Sequence, residues 1–195
     1  MDYGGRVRPL LVLVRPRTAL EAAADTPRFR EGLATVVVAG FVSAAIDLVA
    51  TALGGGGVAG LTYSLLAPLF FVAYWLFDAW LVDAGAHLTG AEHRRRAYMA
   101  VSGLPFVSLI AYALLLLAEA LAARWGGSDL ASALAWLSLP LLAWFVGLMA
   151  ASIAAVYRLP PLNAFALALL PFAAILTVLL LALIVLSVLH GVGVV

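Results

Sequence analysis

Four acidic residues, Asp47, Asp78, Asp83 and Glu119, lie inside long apolar stretches of this chain. An ionisable group inside a bilayer loses most of its hydration, so such positions are where proton relays, cation sites and substrate contacts are built. Asp78 falls deepest and Asp47 sits toward the far end of the preceding stretch, about 22 Å along a helix that starts near Gly32. Two readings of Asp47, Asp78 and Glu119 stand. In one they line a polar path for a proton, cation or small solute. In the other each is held separately, Asp78 by a neighbour such as Tyr74 or Ser108 and the other two by water at the headgroups.

Asp83 and His87 are four residues apart and share one helix face, as an interfacial pair. Carboxylate and imidazole are metal ligands, but a site needs more than two, and His93 and Glu92 fall in a solvated loop. With no cysteine in the chain, thiolate chemistry, disulfides and cysteine metal sites are excluded. Only three histidines are present, and His190 lies at the opposite end of the spans from His87. Gly54 to Gly57 lack the following Lys-Ser/Thr of a phosphate-binding loop. No cofactor, metal or catalytic set is expected, and the chain reads as a non-enzyme.

The elements that position these groups follow from composition. Of the 195 residues 66% are apolar and 11% charged, too few charges to coat a soluble domain. Apolar stretches at about 32–53, 61–86, 97–123, 131–157 and 162–190 are unbroken and long enough to cross a ~30 Å hydrocarbon core as helices. The expected fold is all-α: residues 1–30 as an N-terminal segment, then residues 31–195 as a bundle of five transmembrane helices. In the N-terminal segment Pro16, Thr18 and Glu21 suggest a short capped helix ended by Pro27, lying in the headgroup layer or simply solvated. Ala39, Gly40, Ser43 and Ala44 are small enough to let helix backbones approach.

All 11 basic residues are arginine, a usage that points to a GC-rich, prokaryotic genome, and all but Arg124 fall on one side of the five spans. The positive-inside rule puts that side, and the N-terminus, in the cytoplasm, with the C-terminus outside. Arg94, Arg95 and Arg96 set this topology and attract anionic lipid headgroups. Tyr98 and Tyr157 at the inner ends, and Trp125 and Trp136 at the outer, fit interfacial anchors. Net charge is +1, which gives no basis for nucleic-acid binding.

Pro16, Asp25-Thr26-Pro27, His87-Leu88-Thr89-Gly90, Ala97-Tyr98, Pro105, Trp144, Gly147-Leu148, Pro160-Pro161-Leu162-Asn163-Ala164 and Pro171 occur in this order. From Arg15 onward the chain thereby resembles the Yip1 domain family of five-span membrane proteins. It departs from the family at Thr89-Gly90-Ala91-Glu92-His93, where members have Gly-Gly followed by Ser-Phe. The resemblance implies membrane organisation or recruitment of partner membrane proteins, with self-association as another contact. The GTPase binding of eukaryotic members, which uses a long N-terminal region, is not carried over.

Overall fold

The computed structural model describes residues 10–54 and 57–191 and contains no strand among them. Two short helices, α1 (Leu11–Val14) and α2 (Pro16–Asp25), precede α3 (Phe29–Leu53) and α4 (Val58–Leu88). The third span is broken into α5 (Arg95–Ser102), a tight 3-10 turn (Leu104–Phe106), α6 (Val107–Leu121) and a π turn (Ala122–Gly126). The fourth consists of α7 (Ser128–Trp136) and α8 (Ser138–Tyr157), and α9 (Pro161–Gly191) is the fifth. Five helical segments are thus long and apolar enough to cross a membrane.

Proline explains where the helices start and break. Pro16 and Pro161 open α2 and α9, and Pro140 sits in the first turn of α8, where a missing N–H is no loss. Pro105 lies in the 3-10 turn that interrupts the third span between α5 and α6. Pro68 and Pro171 remain inside α4 and α9.

Helix α3 packs against α4, α5 and α6, while α8 packs against α2 and α9. Ala39, Gly40, Ser43 and Ala44 are all buried in these contacts, and Gly40 faces the backbone of Pro68. The tightest crossing is between Gly32 of α3 and Gly103, just past α5. A Cβ on Gly103 would overlap the Gly32 carbonyl, and one on Gly32 would stand 2.6 Å from the Ala100 oxygen. The aromatic centre is Trp75, Tyr98 and Phe106, with Phe106 edge-on to Phe145 at 5.6 Å.

The N-terminal helices differ from expectation. Leu20 is fully buried because α2 lies against α8 and α5, and Val12 because α1 packs on α2 and the 3-10 turn. The capping box does not form either: Thr18 Oγ1 donates to the Arg15 carbonyl, and Glu21 pairs with Arg17 at 2.9 Å.

Candidate functional site

Helices α4 and α5 run antiparallel about the turn at Leu88, so residues equidistant from that turn lie at equal depth. Three pairs use this register. Asp83 meets His93, Asp78 meets Tyr98, and Trp75 Nε1 donates to Ser102 Oγ at 3.1 Å. The separations in sequence are 10, 20 and 27 residues, all centred on or next to Leu88.

Asp83 is the most heavily bonded acid. Its Oδ2 lies 2.8 Å from His93 Nδ1, and its Oδ1 accepts the Arg94 N–H at 2.9 Å and the Tyr157 hydroxyl at 2.8 Å. One carboxylate therefore joins the end of α4, the start of α5 and the end of α8. The expected Asp83–His87 pair is corrected here. The chain turns back after Leu88 and brings His93 onto Asp83, leaving His87 to stack on the His93 ring at 4.0 Å. His87 Nδ1 lies 3.4 Å from the Ala91 carbonyl oxygen. Among the described residues no three potential metal ligands of the His, Cys, Asp or Glu type come together.

Asp78 is 1% exposed and accepts the Tyr98 hydroxyl at 2.8 Å, so its partner is neither Tyr74 nor Ser108. Its second oxygen and the Tyr74 hydroxyl are buried without a hydrogen-bond partner. Asp47 accepts the Ser64 hydroxyl at 2.6 Å, a direct α3–α4 bond. It also lines a cavity of about 270 Å³ with Ser43, Tyr63 and Tyr112, which neither Asp78 nor Glu119 enters. Glu119 is half-buried on α6 and makes no hydrogen bond or ion pair among the described residues. The three acids named for a common path share no hydrogen-bond partner among the described residues.

Tyr98 and Tyr157 are also corrected from interfacial anchors to interior residues, 0% and 7% exposed. A buried phenol needs an acceptor, and each finds a carboxylate. The matching distances of Asp78 and Tyr98 from Leu88 are the sequence signal for one of these pairs; Tyr157 carries no such signal. Trp125 and Trp136 are exposed, at 71% and 72%.

All the described basic residues except Arg124 lie at one end of the bundle. Arg94 reaches Glu92 at 3.1 Å and the Val156 carbonyl at 3.5 Å, linking the α4–α5 turn to the end of α8. Arg95 and Arg96 are exposed and form no hydrogen bond or ion pair among the described residues. At the other end Arg124 donates to the Leu53 carbonyl at 3.0 Å.

The fold and the site define a class: a helical chain with five long apolar helices, four of them fastened to one another through acids. The chain matches no family model, no characterised protein and no solved structure.

Proposed function

We propose that the chain is a non-enzymatic integral membrane protein, similar to the Yip1 family, that acts in membrane organisation or by recruiting partner membrane proteins. One observation carries this reading. The N-terminal half of α9 packs on α8 and α4 through Ala164, Leu167 and Ala168, but its most apolar 18-residue stretch is only 6% buried, against 22–39% for the corresponding stretches of the other four spans. Leu176, Val178, Leu179 and Leu181 are all exposed and point to different sides of the same helix. A helix apolar all round is surrounded by apolar matter, here lipid and the helices of a partner. The separate bonding of Asp47, Asp78 and Asp83 supports a structural use of the acids. The exposed Arg30, Arg95 and Arg96 suit anionic headgroups on the cytoplasmic side, at about 1 kcal/mol per charge.

A photo-crosslinking residue at Leu180, compared with one at the exposed Phe41 of α3, tests partner recruitment in native membranes. A discrete protein adduct from Leu180 and none from Phe41 is expected. Lipid adducts alone from both positions would remove the recruitment reading.

The unpartnered Asp78 oxygen and Tyr74 hydroxyl favour a second reading, a small proton, cation or solute transporter. Flux into proteoliposomes separates the two. Proton or cation flux that disappears in Asp78→Asn would establish transport, and no flux from inserted protein would exclude it for those ions.

A further inference from the structure

An open groove of about 840 Å³ runs between α2, α8 and α9 at the basic end of the bundle. Gly147, Ala151 and Ala154 form its wall on α8, and Leu162 and Phe165 of α9 face them. The size falls within the roughly 300–1,000 Å³ of small-molecule sites. Walls of this kind suit a hydrocarbon chain and offer nothing to a soluble polar ligand.

The rim is charged. Arg17 reaches it from α2 and Arg158 from the α8–α9 turn, with Glu21 beside Arg17. Arg17 engages Glu21 through Nε, which leaves both terminal nitrogens as donors. Arg158 is exposed and makes no hydrogen bond or ion pair among the described residues. Two guanidinium groups and one carboxylate leave the rim one positive charge in excess, the complement of a phosphodiester.

Two backbone features set the groove apart from an ordinary helix seam. Arg158 is the single non-glycine residue with positive φ, 55°, among those described. That conformation normally falls to Gly or Asn at a helix end, so an arginine there runs against a backbone preference. Gly147 stands in the middle of α8, where glycine is intrinsically unfavourable. A Cβ at Gly147 would meet nothing within 4 Å, so no contact inside the chain requires its small size. Its small size leaves the groove open instead.

We propose that this groove holds one anionic glycerophospholipid of the leaflet at the basic end, its phosphate between Arg158 and Arg17 and an acyl chain along Gly147, Ala151 and Phe165. The site is distinct from Arg94, Arg95 and Arg96, and it rests on the reading that the five helices span a bilayer. Two guanidinium groups bind a phosphate with geometric specificity. A neutral zwitterionic lipid fills the same walls but brings its own cation to a rim already positive.

Native mass spectrometry in mild detergent tests this, with phosphatidylglycerol or phosphatidylcholine of identical acyl chains added to the full chain. Wild type is expected to retain one phosphatidylglycerol and little phosphatidylcholine. Arg158→Gln should weaken phosphatidylglycerol binding by about fivefold, the loss of one headgroup-level charge. Gly147→Leu, which keeps both arginines and adds its side chain to open space, should abolish binding while helical content and monodispersity stay unchanged. Equal retention of both lipids, or wild-type binding by Gly147→Leu, would overturn the proposal. So would a dimer that Gly147→Leu abolishes, which would give the groove to a second copy. Alkaline carbonate extraction of native membranes runs in parallel: release of the protein would refute membrane spanning itself, whereas retention with no lipid selectivity would refute the groove alone.

Discussion

The Tyr157 hydroxyl donates a 2.8 Å hydrogen bond to Asp83 Oδ1, fastening the ends of α8 and α4 across 74 residues of sequence. The same oxygen accepts the backbone N–H of Arg94, and its twin meets His93. A single carboxylate thereby sets the relative height of three helices at the basic end. An uncompensated buried acid is costly, and here three donors offset the desolvation.

Removal of this acid should loosen that end of the bundle. Asp83→Ala is expected to lower stability by about 3 kcal/mol, since it strands buried donors as well as deleting their bonds. Tyr157→Phe, which deletes one bond, should cost about 1 kcal/mol. Unfolding in mild detergent, followed by helical signal, gives both values. An Asp83→Ala variant as stable as wild type would show that the three bonds contribute nothing.

Asp78 and Tyr98 form a coupled pair. One Asp78 oxygen already has no partner, so Tyr98→Phe leaves the whole carboxyl unsatisfied and should cost about 2 kcal/mol. In an Asp78→Val background the same change should cost less than about 1 kcal/mol, because no acceptor remains to be orphaned. The double-mutant cycle reads the difference, and additive effects would contradict direct coupling.

Two glycines should respond oppositely to alanine. At Gly103 the new Cβ strikes the Gly32 backbone, which has no rotamer to yield, and a loss of about 2–3 kcal/mol is expected. At Gly147 the Cβ enters open space, and Gly147→Ala should be neutral or stabilising by up to about 1 kcal/mol. Thermal unfolding of the two variants side by side makes the comparison.

Span positions were legible because length and hydropathy alone determine them. The stretches read at 61–86 and 131–157 appear as Val58–Leu88 and Ser128–Tyr157. Proline was legible as a breaker at Pro27, which follows the end of α2. Asp83 was placed on the right helix but given the wrong histidine. Helical i,i+4 spacing points to His87, whereas the reversal after Leu88 brings in His93. The same reversal makes Asp78–Tyr98 deducible, as both lie ten residues from Leu88. Contacts between spans distant in sequence left no such trace. Tyr157 on Asp83, and Gly32 on Gly103, depend on how α3, α5 and α8 cross. The packing of α2 was also hidden, since an apolar face looks the same whether it meets lipid or protein.

Membrane spanning with the basic end in the cytoplasm underlies every functional proposal made for this protein, and the lack of cysteine makes it directly measurable. Glu92→Cys places one thiol in the α4–α5 turn at the basic end, and Ser128→Cys places one at the start of α7 at the other. Labelling of intact cells with a membrane-impermeant maleimide is predicted to modify Ser128→Cys at once and Glu92→Cys only after permeabilisation. Labelling of Glu92→Cys in intact cells, with Ser128→Cys protected, would invert the bundle and contradict the account; labelling of both would refute membrane spanning between them.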